Sequence, residues 1–227
     1  MERADCIREL AARICAIHMD HPLRVGIDGV DASGKTHLAD ELAKTITGRR
    51  VIRASIDGFH NPRAMRYARG RLSPDGYYKD SFDHQKLIEK LLEPLGRLSD
   101  WNYVPAVFDY RTDQPVQTEI RRTEQSAILL FDGIFLFRPE LKAYFDFKIF
   151  VRADFSVTVP HAIQRALARD ETSKEERREL LNQYQQRYVP GQKLYFQQAN
   201  PEIQADIIVD NTDFANPGLI IQKHTET

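Results

Sequence analysis

A glycine-rich segment near the N-terminus has the residue types and the spacing of a phosphate-binding loop. The residues that fit the pattern G-x-x-x-x-G-K-[ST] are Gly29, Gly34, Lys35 and Thr36. An apolar run precedes the segment and a run with helical periodicity follows it, as the pattern requires. Glycines let backbone N–H groups turn towards phosphate oxygens, and the start of a helix adds partial positive charge. The residues predicted to bind the phosphates of a nucleotide such as ATP are Gly29, Asp31, Ala32, Ser33, Gly34, Lys35 and Thr36.

A magnesium site is predicted next to this loop. Lys35 would reach the β- and γ-phosphates of a bound nucleotide, and the Thr36 hydroxyl would bind Mg²⁺. Asp132 ends a continuous apolar run, which is the pattern of the acid that accompanies the metal at such loops. A turn or helix cap is the alternative interpretation of Asp132. The predicted metal-binding residues are Thr36, Asp132 and Asp57.

Asp57 is also the predicted general base. It follows the apolar run 51–56, and an acid directly after a buried parallel strand points towards the ligand at the carboxyl edge of the sheet. There it would accept the proton of a substrate hydroxyl as that oxygen attacks the γ-phosphorus. A turn residue before Gly58 is the alternative interpretation.

Two arginines could stabilise the phosphoryl group during transfer. Arg165 and Arg169 lie four residues apart, on one face of a predicted helix. A guanidinium that closes over the equatorial phosphate oxygens stabilises their negative charge. A solvated helix face is the alternative, and spacing alone favours it. The predicted catalytic residues are Lys35 and Asp57, and the resemblance described below implies Arg169 as a third.

The elements that must position these residues alternate between strands and helices. Apolar runs occur at about residues 24–28, 51–56, 127–131, 145–151 and 205–209, with helical patterns between them. Continuous apolar runs of this kind indicate parallel strands buried on both faces. We predict one α/β domain over residues 1–227, with a parallel sheet of about five strands flanked by helices. Residues 1–20 are predicted to form an N-terminal helix.

Three further segments are predicted to enclose a second substrate. The strand-like stretches 102–110 and 116–123 indicate a β-hairpin, within an insertion of about residues 100–124. The polar stretch 63–80 is predicted to be a loop that reaches over the site. Residues of about 155–190 are predicted to form a helical lid and the helices that follow it.

The composition favours a small-molecule site over a charged surface. Lysine plus arginine (32) nearly balances aspartate plus glutamate (33), which argues against a nucleic acid or an anionic membrane as partner. Cys6 and Cys15 form no metal or redox pattern, and indicate a reduced protein. No signal peptide or membrane-crossing run is found, so a cytoplasmic location is expected. Homo-oligomer formation is left open.

Five short segments resemble motifs of one branch of the P-loop kinases. This branch contains the uridine kinases and phosphoribulokinases, and pantothenate kinases are similar to it. The five segments are GVDASGKT at 29–36, SIDGFH at 55–60, SFDH at 81–84, FDGI at 131–134 and ADIIV at 205–209. The resemblance spans about residues 23–211. It implies a P-loop NTPase fold and an ATP- and Mg²⁺-dependent kinase that phosphorylates a primary hydroxyl. The first expected acceptor is the 5′-hydroxyl of a nucleoside, uridine or cytidine.

The resemblance also implies a set of acceptor-binding residues. Asp83 matches the acid that binds the ribose hydroxyls, although a helix N-cap is its local alternative. Phe82 and Tyr110 match aromatic positions of the base pocket, and Gln183 matches a polar contact of the nucleoside. The full predicted substrate set is Phe82, Asp83, Phe108, Tyr110, Arg165 and Gln183.

Several positions depart from the uridine kinase pattern and leave other acceptors open. Phe108 and Asp113 stand where a tyrosine and a histidine usually bind the pyrimidine edge. The arginines that usually follow the lid helix are missing, and Lys174, Arg177 or Arg178 could replace them. The acid in the segment 131–134 is Asp132, whereas uridine kinases more often have a glutamate there. Pantothenate, a sugar phosphate, glycerate or another alcohol are alternative acceptors, and a regulatory ATPase without an acceptor is an alternative of another class.

Overall fold

The computed structural model describes residues 1–167 and 174–222. The helices are α1 (Arg3–Ala16), α2 (Lys35–Thr45), α3 (Arg63–Arg66), α4 (Pro74–Asp80), α5 (His84–Leu87), α6 (Phe155–Leu167), α7 (Lys174–Gln183), α8 (Val189–Ala199) and α9 (Pro201–Gln204). Short 3₁₀ turns cover Ile56–Phe59 and Lys142–Tyr144, and π-helical turns cover Ile88–Leu92 and Tyr184–Tyr188. The strands are β1 (Leu23–Gly29), β2 (Val51–Ser55), β3 (Asn102–Tyr103), β4 (Phe108–Asp109), β5 (Gln114–Pro115), β6 (Arg121–Arg122), β7 (Ile128–Gly133), β8 (Phe147–Arg152), β9 (Ile207–Asp210) and β10 (Gly218–Ile221).

A six-stranded sheet in the order β10-β9-β8-β1-β7-β2 forms the centre of the molecule. Strands β2, β7, β1, β8 and β9 are parallel, and β10 runs antiparallel at the edge. The predicted α/β fold with about five parallel strands is confirmed. Strand β10 was not predicted, because an edge strand with Ile220 41% exposed and Ile221 52% exposed lacks the apolar run of a buried strand.

Each face of the sheet is covered by helices, which explains the continuous apolar strands. Side chains alternate along a strand, so that Leu129 and Phe131 of β7 pack into one core and Ile128 and Leu130 into the other. The predicted N-terminal helix is α1, which buries Leu10 and its neighbours against the second core. The central strands are thereby held between two apolar layers.

The predicted β-hairpin is present as two short antiparallel ladders. β3 pairs with β6, and β4 pairs with β5. The pairing is short because proline lacks the N–H that a ladder needs, and Pro105 and Pro115 both lie in this segment. Val107 N–H donates to the Gly58 carbonyl oxygen at 2.9 Å, which anchors the hairpin beside Asp57.

Residues 63–80 were predicted to form a loop. This prediction is wrong, because the segment contains helices α3 and α4. Ser73 caps α4, since its hydroxyl accepts a hydrogen bond from Gly76 N–H at 3.0 Å, and Pro74 occupies the first turn. These local signals compete with the polar, glycine-containing composition that favours a loop. Among the described residues, no helix has the length and apolarity to cross a bilayer.

The centre of the sheet leaves no room for a larger residue at Gly26 of β1. A Cβ there would lie 2.8 Å from Cγ of Phe145 and 3.1 Å from Cε1 of Phe137. Both rings are buried, so Gly26→Ala should lower the free energy of unfolding by about 1–3 kcal/mol. Urea unfolding followed by circular dichroism measures the change.

Gly218→Ala is the matched control, since the nearest atom to its Cβ would be 3.6 Å away. We expect a change within about 0.5 kcal/mol for this edge position. Equal losses in the two variants would contradict close packing around β1.

Candidate active site

A cavity of about 730 Å³ lies at the carboxyl ends of β1, β7 and β2. This is the edge at which open parallel sheets bind ligands. Its wall combines the phosphate-binding loop, the turn after β2, the hairpin, α6 and the helical segment around Tyr184–Tyr188. The three strands therefore deliver their terminal residues into one space.

The phosphate-binding loop leaves β1 at Gly29 and enters α2 at Lys35. A Cβ at Gly29 would lie 2.5 Å from the Val151 carbonyl oxygen, so this position has no room for a side chain. Gly34 has a φ of 91°, in the left-handed region that favours glycine. The Lys35 ammonium donates to the Val30 carbonyl oxygen at 3.1 Å, and a phosphate oxygen would be a stronger, charged acceptor for it.

The predicted metal ligands Thr36 and Asp132 are in direct contact. The Thr36 hydroxyl donates to Asp132 Oδ2 at 2.7 Å, and Arg53 donates to Asp132 Oδ1 at 2.9 Å. The pair meets because β7 lies beside both β1 and β2. A hydroxyl and a carboxylate are hard oxygen ligands and fit Mg²⁺. The described residues contain no cluster of three or more His, Cys, Asp or Glu that could hold a metal.

Asp57 lies in the 3₁₀ turn after β2, and its side chain is 59% exposed at the cavity wall. Nε2 of His60 lies 3.6 Å from Asp57 Oδ1. Burial alone would raise the pKa of Asp57, but the interaction with His60 and the charge of Lys35 outweigh it and lower this pKa. Asp57 is therefore ionised at neutral pH and can accept a proton.

Asp31, predicted to bind ATP, contacts the lid. Its carboxylate accepts hydrogen bonds from Arg165 at 3.0 Å and from the Tyr184 hydroxyl at 2.6 Å. Its backbone N–H donates to Gln192 Oε1 at 2.7 Å. Burial opposes ionisation, but the charge of Lys35, the Tyr184 hydroxyl and Arg165 together lower the pKa of Asp31. Periodicity gave no signal for this contact, since its partners lie more than 130 positions away in the sequence.

Of the two predicted lid arginines, one lies in the part of the chain that the structure describes. Arg165 lines the cavity. Arg169, predicted to be catalytic, lies outside the described residues. Arg177 and Arg178 are exposed on α7.

The acceptor end of the cavity has an aromatic wall. The His60 ring lies between Phe82 and Tyr110, with centroid distances of 4.5 and 5.0 Å. Phe82 and Tyr110 were predicted here, whereas His60 was not. Further lining residues that the sequence did not single out are Arg66, Tyr67, Tyr77, Arg187 and Tyr188.

Three predicted substrate residues are not among the described residues that line the cavity: Asp83, Phe108 and Gln183. Asp83 caps α5, since Oδ1 accepts from Lys86 N–H at 3.0 Å, which is its local alternative role. Phe108 is 7% exposed within β4. Gln183 accepts a hydrogen bond from the Tyr188 hydroxyl at 3.2 Å.

Known proteins resemble this chain over most of its length. The sequence is 25% identical to a uridine kinase of Ligilactobacillus salivarius over 191 residues, 83% of this chain and 84% of that protein. It is 27% identical to uridine-cytidine kinase B of Dictyostelium discoideum over 152 residues, 66% of this chain and 61% of that protein. A solved structure of a possible uridine kinase from Bacillus stearothermophilus has a TM-score of 0.71 and 26% identity, and covers 92% of this chain and 99% of that one.

The chain is thus similar to uridine kinase-like members of the P-loop kinases, in agreement with its sequence motifs. No protein-family model matches the sequence. The names of these relatives indicate a phosphotransferase that acts on a hydroxyl group. The P-loop kinase fold implied by the sequence motifs is confirmed.

Asp28 is a buried carboxyl group that the sequence did not single out. It is fully buried at the end of β1, where it accepts hydrogen bonds from Gly29 N–H at 2.7 Å, from Phe137 N–H at 3.2 Å and from the Tyr195 hydroxyl. Burial raises the pKa of Asp28 from 3.8 to about 6, although these hydrogen bonds oppose the shift. Asp28 therefore links β1, the segment after β7, and α8.

The raised pKa of Asp28 predicts how stability depends on pH. The folded protein holds this proton up to a pH near 6, whereas the unfolded chain releases it near 3.8. Unfolding between these values releases a proton, so this group's contribution to stability falls as the pH rises. Asp28→Asn removes the titration, and its stability relative to wild type should improve by about 2 kcal/mol between pH 4 and pH 7.

Urea unfolding at several pH values measures this difference, with the exposed Asp5→Asn as control. The control should show no comparable trend. A constant difference between wild type and Asp28→Asn over this range would contradict the titration.

Proposed function

We propose that this uridine kinase-like protein transfers the γ-phosphate of ATP to the primary 5′-hydroxyl of a nucleoside, with uridine or cytidine as the first candidates. The observation that carries the proposal is one cavity that joins the phosphate-binding loop, the Thr36–Asp132 pair and the Asp57 carboxylate. The names of the relatives support a nucleoside as acceptor.

The phosphate donor would be bound by the loop and by a metal ion. Backbone N–H groups of the loop and the Lys35 ammonium would hold the β- and γ-phosphates. Thr36 and Asp132, with Asp57 as a proposed third ligand, would hold Mg²⁺, which neutralises charge on the phosphate oxygens when it is bound. Arg53 keeps Asp132 oriented through its hydrogen bond to Oδ1.

Asp57 is the proposed general base. Its carboxylate would accept the acceptor's hydroxyl proton while the hydroxyl oxygen forms a bond to the γ-phosphorus and the bond to the β-phosphate oxygen breaks. ADP leaves with the electrons of that bond. Positioning and charge neutralisation supply most of the acceleration in reactions of this kind. Arg165, and Arg169 as predicted from the sequence, would add positive charge near the transferred group.

An anionic alcohol is the second candidate acceptor. Arg66, Arg111 and Arg187 line the cavity, and Arg66 pairs with Asp113 at 3.0 Å. Arg187 is 2% exposed and, in the part of the chain that the structure describes, donates to backbone carbonyl oxygens without a carboxylate partner. A phosphate or carboxylate on the acceptor would complement this charge, as in a sugar phosphate, pantothenate or glycerate.

A panel of acceptors tests the proposal. ADP release would be measured with ATP and Mg²⁺ and each of uridine, cytidine, a sugar phosphate, pantothenate and glycerate. We expect turnover to require an acceptor, with uridine or cytidine giving the highest kcat/KM. Highest activity with an anionic alcohol would favour the second candidate, and turnover unchanged by every alcohol would instead favour a regulatory ATPase.

Asp57→Asn tests the role of the base. Because the amide cannot take up the hydroxyl proton, kcat should fall by about 10²–10⁴-fold while the dissociation constant of ATP stays nearly unchanged. The lowered pKa of Asp57 means that the wild-type base remains ionised as the pH falls from neutral towards the ordinary carboxylate range. Activity that requires ionised Asp57 is therefore expected to be lost only below that pH range.

The control for Asp57→Asn is Asp75→Asn, an exposed carboxylate on α4 outside the cavity lining. This variant should retain wild-type kcat. Near-normal turnover in Asp57→Asn would remove Asp57 from the role of base.

A further inference from the structure

One arginine lies directly behind the pair formed by Thr36 and Asp132. Arg53 belongs to β2, which is the edge strand of the sheet next to β7. The register of these two strands pairs Ser55 with Asp132, and side chains two residues apart share one face of a sheet. Arg53 and Asp132 therefore lie on the same face, which is the one that α2 covers.

The guanidinium of Arg53 is held in place by three different segments. Its Nε donates to Asp40 Oδ1 at 3.0 Å, its Nη1 donates to the Leu130 carbonyl oxygen at 2.7 Å, and its Nη2 reaches Asp132. Asp40 lies on α2, about one helical turn after Thr36. Because the guanidinium is planar with its donors in fixed directions, these contacts determine which atom faces Asp132.

The two carboxylate oxygens of Asp132 have different partners. Oδ1 accepts from Arg53 at 2.9 Å, whereas Oδ2 accepts from the Thr36 hydroxyl at 2.7 Å. The Asp132 residue is only 2% exposed, so that water does not compete for these oxygens. A hydroxyl that donates its proton keeps its lone pairs for another partner. The free side of the pair is therefore the one on which the Thr36 oxygen and Oδ2 meet.

The number of carboxylate oxygens offered to a cation distinguishes Mg²⁺ from Ca²⁺. Ca²⁺ takes about six to eight oxygen ligands in flexible geometry and readily accepts both oxygens of one carboxylate. Mg²⁺ is smaller, requires near-octahedral geometry and keeps several waters. A carboxylate with one oxygen bonded to a guanidinium offers a cation its other oxygen only, which suits the smaller ion.

We infer that Arg53 is a positioning residue that restricts Asp132 to contact through Oδ2 and thereby favours Mg²⁺ over Ca²⁺ in the nucleotide complex. The inference rests on the proposed function, because it takes ATP with its metal ion as the ligand of the loop. Arg53 does not line the cavity, so it acts through Asp132 and not on the nucleotide itself.

Arg53→Met tests this role, since methionine removes the guanidinium and keeps an unbranched side chain. Calorimetry would give the dissociation constant of a non-hydrolysable ATP analogue in excess Mg²⁺ and, separately, in excess Ca²⁺. We expect the ratio of the Ca²⁺ constant to the Mg²⁺ constant to fall about tenfold, because the released Oδ1 can join Oδ2 on the larger ion. A role in stability alone would leave this ratio unchanged.

The matched control is Arg121→Met, which removes an exposed arginine of β6 outside the cavity lining. The ratio should stay at its wild-type value in this variant. An unchanged ratio in Arg53→Met, or equal weakening with the two ions, would overturn the inference.

A crystal structure of the wild-type protein with Mg²⁺ and the same analogue tests the inference even if Arg53→Met does not fold. We expect Arg53 to remain bonded to Oδ1 and the metal ion to lie on the Oδ2 side. An Arg53 side chain turned away from Asp132, or a metal ion bound by both oxygens, would refute the restriction. Failure of the wild-type protein to bind the analogue with either ion would instead refute the proposed function, so the two failures are distinct.

Discussion

The parallel placement of β1 between β7 and β8 is the constraint on which the rest of the structure depends. It brings the phosphate-binding loop, Asp132 and the turn that carries Asp57 to one edge of the sheet. It also buries β1 on both faces, so that Gly26 and Gly29 have no room for a larger residue. The packing of the central strand and the geometry of the site therefore both depend on the two glycines of β1.

The sequence predicts the parts of this arrangement that depend on local pattern. Buried parallel strands leave continuous apolar runs, and acids that end such runs reach the ligand edge, where Asp132 contacts Thr36. Strand β10 and helices α3 and α4 were missed, because an exposed edge strand and short capped helices leave weak periodic signals. Their formation depends on pairing and capping, which composition does not reveal.

The acceptor end of the site is less predictable, because its residues come from segments far apart in the chain. Phe82 and Tyr110 line the cavity, whereas the capping role of Asp83 agrees with the local alternative. His60 and Arg187 could not be identified from spacing, since their neighbours become known only when the segments pack. Family motifs predict the chemistry of the donor more directly than the identity of the acceptor.

The contacts of Asp31 couple the lid to the phosphate-binding loop mechanically. One residue accepts hydrogen bonds from α6 and from the turn after α7, and donates one to α8. Any outward motion of these helices must either break these hydrogen bonds, including charge-assisted ones, or pull the loop with it. The opening of the cavity and the shape of the phosphate-binding loop therefore change together. A ligand that tightens the loop would also hold the entrance closed.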